Sequence, residues 1–200
     1  MSRFVVIEGL DGAGTTTQTE RLASWLRSRG LEVEATREPT DGPVGKILRQ
    51  VLRAEAGAPD ERTLPWLFAA DRADHLTRTV DPALGRGAWV LSDRYYPSSL
   101  AYQSLVLPLD RVHALNADFR VPDLTLFLQV SVDTCLRRLA GRPEREIFEV
   151  RERLEPISAS YERVMDYLVE RGEPVLTLDG DQPVELVEAE IRAAVEQWLE

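Results

Sequence analysis

Short apolar runs alternate along this chain with longer stretches whose apolar positions recur every three or four residues. The short runs predict strands at Phe4–Ile7, Glu32–Thr36, Ala88–Ser92, Leu124–Val130 and Pro174–Leu178. Leu124–Val130 is apolar nearly throughout, as expected of a strand covered on both faces. The longer stretches predict helices. Thr15–Arg29 places Leu22, Trp25 and Leu26 on one face and stops before Gly30. Further helices are predicted over about Val44–Ala54, Glu61–Thr79, Ser98–Val106, Leu109–Ala117, Glu149–Arg171 and Val184–Leu199. Strands alternating with helices imply βα units and a mostly parallel sheet, hence a three-layer α/β domain with about five strands and helices on both faces.

The 200 residues suffice for one such domain and are few for two, so residues 1–200 are expected to form a single unit. The segment 137–149, rich in arginine and broken by Gly141 and Pro143, interrupts the rhythm and reads as a mobile lid. Hydrophobic residues at 44% and charged residues at 29% exclude a disordered chain. No apolar run approaches the roughly 18–20 residues of a membrane span. The apolar part of the N-terminus is too short for a signal peptide. A single cysteine, Cys135, precludes an internal disulfide and points to a reducing cytoplasm. A net charge of −10 argues against a nucleic-acid polymer or an anionic membrane as partner. A local basic cluster for a small anion stays open, and of the 24 basic residues only Lys46 is a lysine.

The first strand runs into Gly9-Leu10-Asp11-Gly12-Ala13-Gly14-Thr15-Thr16-Thr17 and then a helix. Glycines there let the backbone approach an anion closely, and the N–H groups and positive end of the helix form a phosphate cradle. The spacing follows the P-loop pattern at Gly9, Gly14 and Thr16, but Thr15 occupies the lysine position. A P-loop lysine offsets charge on the outer phosphates during transfer. A unit charge at ~4 Å is worth about 4 kcal/mol at an effective dielectric of 20. Its uncompensated loss corresponds to roughly a thousandfold in rate. Thr16 retains the hydroxyl that meets Mg²⁺ in such loops. The strand Trp89–Ser92 leads into Asp93-Arg94, a carboxylate suited to organising Mg²⁺ and a guanidinium suited to bidentate phosphate binding.

Three more blocks accompany these: Thr36-Arg37-Glu38-Pro39 after the second strand, Phe68–His75 on the long helix, and Ser98–Gln103 after Asp93-Arg94-Tyr95. In this order and spacing the chain resembles the thymidylate kinases over its whole length, which implies a P-loop kinase fold and phosphoryl transfer from ATP to dTMP with Mg²⁺. The resemblance implies that Gly9–Thr17 hold the ATP phosphates, with Asp11 near dTMP. It implies that Arg37 and Arg94 hold the dTMP phosphate, that Glu38 sets the sugar or metal environment, and that Phe68 stacks on thymine beside Arg49 and Arg72. Ser99 and Gln103 would meet the base edge and Tyr102 the sugar 2′ position, with Thr16 and Asp93 at the metal. The segment 137–149 resembles the lid of these kinases, and Arg142 and Arg145, with Arg94, are expected to replace the absent lysine. Arg151 is a further lid candidate. The family implies a homodimer, for which the apolar stripes around Leu64–Leu76 and Leu100–Leu107 are available.

Two other readings stand beside this one: a nucleotide-binding protein that has lost transfer, supported by Thr15, and a kinase for another nucleoside monophosphate. His75 and His113 lack partners at metal-ligand spacing and are expected to be structural.

Overall fold

The computed structural model describes residues 2–53, 59–140 and 150–199. Five parallel strands form one sheet in the order β2-β3-β1-β4-β5: β1 (Phe4–Gly9), β2 (Val33–Arg37), β3 (Trp89–Asp93), β4 (Leu124–Gln129) and β5 (Val175–Asp179). Each predicted strand lies within two residues of an observed one at both ends. β1 and β3 are buried along their whole length, as central strands covered on both faces must be. The register sets Ile7 beside Asp93 and Gly9 beside Leu128, so the ends of β1, β3 and β4 open at the same edge. The chain crosses from one side of β1 to the other there, the topological position where α/β sheets bind ligands.

The helices are α1 (Thr15–Ser28), α2 (Pro43–Leu52), α3 (Leu64–His75), α4 (Asp81–Gly85), α5 (Tyr96–Gln103), α6 (Leu109–Ala114), α7 (Val132–Leu139), α8 (Arg151–Glu170) and α9 (Val184–Glu196). α1 packs on α9 and on β1–β3, while α5 packs on α8, α3 and α6. α2 and α5 begin earlier than predicted because Pro43 and Pro97 sit in their first turns, where the missing N–H is no loss.

The long helix expected over Glu61–Thr79 is divided. A 3₁₀ turn, Glu61–Thr63, capped by Asp60, leads into α3, and a π-helical turn, Leu76–Val80, joins α3 to α4. The segment expected to form a lid begins inside a helix. Arg137 and Arg138 belong to α7, whose side chains Cys135 and Leu139 pack into the core. The rest of that segment, including Arg142 and Arg145, lies outside the described residues. Cys135 lies within α7, fully buried, and burial pushes its thiol up to about 11 despite the opposing charge of Arg138.

Candidate active site

The loop between β1 and α1 takes its shape from two left-handed glycines. Gly12 has φ 87°, and a Cβ there would lie 2.7 Å from the carbonyl oxygen of Cys135, so α7 is seated directly against the loop. Gly14 has φ 98° and caps α1. The loop closes through Ala13 N–H to Leu10 O at 2.9 Å, and α1 starts with Gln18 N–H to Gly14 O at 3.0 Å. The first-turn amides of α1 have no acceptor within their own helix and face the mouth of the loop with its positive dipole end. Leu10, Asp11 and Ala13 lie in this turn, between Gly9 at the end of β1 and Thr17 in the first turn of α1.

Thr15 is buried, and a Cβ built on Gly9 would come within 3.3 Å of its Cγ2, so the threonine packs under the loop. Its neighbour Thr16 points to β3, where its hydroxyl donates to Asp93 Oδ2. Asp93 is buried at 8% exposure, and its Oδ1 has no hydrogen-bond partner among the described residues. An orphaned carboxylate oxygen beside a P-loop hydroxyl suits a hard divalent cation, which takes oxygen ligands and neutralises the charge.

Arg94 follows in a left-handed conformation with φ 74°, a strained state for a non-glycine residue worth about 1–3 kcal/mol. Its N–H donates to Ile7 O at 3.0 Å, and its carbonyl accepts from Ser92 Oγ at 2.6 Å. This turn sends the guanidinium back over the loop. Arg94 Nη2 donates to Asp11 Oδ1 at 2.8 Å, and Nη1 donates to Ser98 Oγ at 3.1 Å and Tyr161 OH at 3.0 Å. Tyr102 OH donates to Asp11 Oδ2 at 2.9 Å, and burial holds that phenol well above its ordinary range, so it stays a neutral donor.

Asp11, Phe68, Arg94, Ser99, Tyr102 and Gln103 line one pocket together with Pro39, Leu52 and Ser98. The sequence reading placed the acceptor's base and sugar among these residues. The pocket holds about 50 Å³, room for a water or two and not for a pyrimidine. Asp11 draws its walls together by binding both Arg94 and Tyr102. Gln103 Oε1 is buried without a partner among the described residues.

Behind this pocket lies a buried polar network. Arg72, 1% exposed, donates to Glu38 Oε2 at 2.7 Å, Asn116 Oδ1 at 2.5 Å and Ser99 Oγ at 3.2 Å, and its guanidinium lies over Tyr95 and Phe119. His75 Nδ1 is 3.0 Å from Glu38 Oε1, and its Nε2 is 2.7 Å from Thr36 Oγ1. Glu38 therefore faces two fixed protein groups rather than an open metal position, and His75 holds it in place. Arg49 donates to Pro39 O and stands 3.7 Å from Asp41.

Arg37 is not brought to Arg94's pocket. It donates to Asp41 at 2.9 Å and lines a separate cleft of about 550 Å³ with Thr16, Asp93, Thr40 and Arg78. The two arginines expected on one phosphate thus flank Asp93 from different cavities.

Sequence reasoning missed Arg138, Glu8 and Tyr161. Arg138 Nη1 donates to Gly12 O at 3.3 Å and Ala13 O at 3.0 Å, and Nη2 to Gly180 O at 3.2 Å. It lines a hollow of about 170 Å³ on the far side of the loop with Gly14, Thr17, Gln18, Gln182 and Val184. Glu8 could have been found as the one charged residue ending a wholly apolar strand. Arg151, a lid candidate, pairs with Asp133 and Glu155 at the surface.

A parallel sheet with a glycine loop at its switch point, a Thr16–Asp93 pair and an inward-turned arginine define a P-loop kinase of the nucleoside-monophosphate type. The comparisons narrow this. A family model described as thymidylate kinase matches residues 7–191. A protein named thymidylate kinase from Methylobacillus flagellatus is 39% identical over 199 residues, 94% of each chain. One named probable thymidylate kinase from Thermococcus kodakarensis is 35% identical over 205 residues, 98% of each. Another thymidylate kinase, from Synechococcus sp., is 41% identical over 160 residues, 72% of this chain and 74% of that one. The chain belongs to the thymidylate kinase family.

Proposed function

We propose that this protein transfers the terminal phosphoryl group of ATP to dTMP, giving ADP and dTDP, with Mg²⁺ at Thr16 and Asp93. The observation that carries the site is the orphaned Oδ1 of a buried Asp93, held beside Thr16 at the mouth of the phosphate loop. An oxygen of the acceptor phosphate attacks the γ-phosphorus in line as the bond from that phosphorus to the β–γ bridging oxygen breaks. Little covalent chemistry falls to the protein, so its work is positioning and charge stabilisation. The loop amides hold the donor phosphates, and we assign the hollow beside Arg138 to the rest of the donor. Bound Mg²⁺ would neutralise charge on the phosphate oxygens. Arg94 would exchange its contact with Asp11 for the acceptor phosphate, which opens the pocket lined by Phe68, Ser99, Tyr102 and Gln103 to the base and sugar. There an aromatic face supplies affinity, and Gln103 Oε1 supplies a polar group that a mismatched base leaves unpaired.

In the segment 137–149, Arg142 and Arg145 remain our candidates for the charge that Thr15 lacks, together with Arg94. A cytoplasmic homodimer completes the reading. No described helix is long and apolar enough to cross a membrane. Trp66, 56% exposed, shares a surface hollow with Leu107, giving the two apolar stripes a common face. A coupled ADP-release assay with dTMP, dUMP, dCMP, dGMP and UMP tests the reaction. Turnover with dTMP above the others is expected. ATP binding without turnover on any acceptor, or turnover that excludes dTMP, would refute it.

A further inference from the structure

The turn after β3 aims Arg94 at the loop, but a long guanidinium needs fixed acceptors to stay there. Apart from Asp11, whose contact the acceptor phosphate would take over, those acceptors are two hydroxyls, Ser98 Oγ on α5 and Tyr161 OH on α8. Each has one proton; the two oxygens lie 2.8 Å apart, so either could donate to the other, and a carboxylate stands within reach of both. Glu8 Oε2 lies 2.6 Å from Ser98 Oγ and 3.1 Å from Tyr161 OH, while Oε1 accepts Tyr95 N–H at 2.8 Å and Ser98 N–H at 3.2 Å. With both hydroxyl protons turned to the carboxylate, the lone pairs of both oxygens face Arg94 Nη1. Phe127 stacks on the Tyr161 ring at 5.2 Å, which keeps that phenol in place.

We propose that Glu8 is a positioning residue for the acceptor phosphate: by taking the protons of Ser98 and Tyr161, it makes both hydroxyls acceptors and thereby fixes Arg94. Glu8 is fully buried near the end of β1, and its described hydrogen bonds go to Tyr95, Ser98 and Tyr161. The inference rests on the reading that Arg94 binds the acceptor phosphate.

The charged form does the orienting. A neutral carboxylic acid, or an amide, offers a proton to the same hydroxyls and turns at least one of their own protons toward the guanidinium. Burial pushes the Glu8 carboxyl up to about 7, opposed by Arg94 and by the hydrogen bonds from Ser98, Tyr95 and Tyr161. The titratable and charged groups that face it among the described residues are Arg94 from the β3–α5 turn, Tyr96 and Tyr102 from α5 and Tyr161 from α8, with Asp11 linked to it through Arg94. A carboxyl raised from its ordinary 4.5 adds most to stability below about 4.5, and that contribution is lost as pH rises through about 7. Orientation of Arg94 and stability therefore move in opposite directions with pH.

Glu8→Gln separates the two. It keeps Oε1 for the backbone amides and reverses the hydrogen bonds to Ser98 and Tyr161. At pH 8 it is expected to melt no lower than the wild type, yet to raise KM for dTMP by about 10–100-fold, the range of a lost hydrogen bond to a charged group, with kcat within about threefold. KM for ATP stays unchanged. The wild type's dTMP KM falls as pH rises through about 7 by more than the same profile in Glu8→Gln, which retains only the titration of dTMP itself. Unchanged dTMP KM in Glu8→Gln, or a fall in kcat alone, overturns the proposal. Should Glu8→Gln not fold, Tyr161→Phe and Ser98→Ala must each raise dTMP KM and leave ATP KM alone, and their failure to do so overturns it equally. Wild-type turnover of dTMP, measured first, separates failure of this proposal from failure of the proposed reaction.

Discussion

Removing the charge of Arg72 tests how the acceptor pocket is supported. The Arg72–Glu38 pair spans 2.7 Å, and their side chains are 1% and 3% exposed, so neither charge has water to fall back on. In Arg72→Met the methionine fills part of the volume between Tyr95 and Phe119, and Glu38 keeps only His75 of its two charged or polar partners. Breaking a buried pair on one side costs about 3–5 kcal/mol. A chain of this length loses roughly 2–4 °C per kcal/mol, which gives a fall in Tm of about 6–20 °C. Scanning calorimetry without nucleotide reads this independently of substrate binding. The double variant Arg72→Met/Glu38→Gln leaves no unpaired charge and should recover at least half the loss, because residues in one network couple strongly. A fall in Tm below about 3 °C for the single variant, or a double variant no better than the single, would refute a buried ion pair as the prop of this wall.

Asp93→Asn should lower kcat by about 10²–10³-fold, the scale of one unit charge at ~4 Å, and raise the Mg²⁺ needed for half-maximal rate; a Mg²⁺ titration unchanged from wild type would count against Asp93 as the metal's carboxylate. If guanidinium groups supply the charge as proposed, Thr15→Lys should change kcat by less than about tenfold, since Thr15 is packed under the loop, whereas a gain near a thousandfold would mean that nothing replaced the lysine. Gly12→Ala adds a Cβ 2.7 Å from the Cys135 carbonyl at φ 87°, about 1–2 kcal/mol of left-handed strain plus 1–3 of overpacking, and should lower Tm by about 4–20 °C. An unchanged melting curve would show that α7 is free to move off the loop.

The sheet was legible in the chain because central parallel strands are mostly apolar, and short runs such as Val5–Ile7 and Leu124–Leu128 between helical stretches fit buried strands. The phosphate loop was legible for the same local reason: its glycine spacing is a contiguous pattern. What stayed hidden is written across distance. The Arg72–Glu38–His75–Asn116 network joins positions up to 44 apart in a single bond, and no periodicity encodes that. The π turn at Leu76–Val80 was invisible because one extra residue per turn barely disturbs a helical stripe over so short a stretch. Arg138 read as part of an arginine-rich lid because composition, not geometry, set that boundary; the apolar positions Cys135 and Leu139 were the signal that the helix continued past it. Arg37 and Arg94 looked like partners in sequence, and only the fold shows that Asp41 draws one of them into another cleft.

The seam between Gly12 and α7 also equips the protein with a native stopwatch. Cys135 lies on that seam, wholly enclosed, with a thiol too weakly acidic to react at neutral pH. A soluble disulfide reagent can reach it only in the moments when the helix lifts, so its labelling rate times those excursions without any introduced tag. Nucleotides that settle on the loop should lengthen the interval, and the degree of slowing would rank them by how firmly they clasp it.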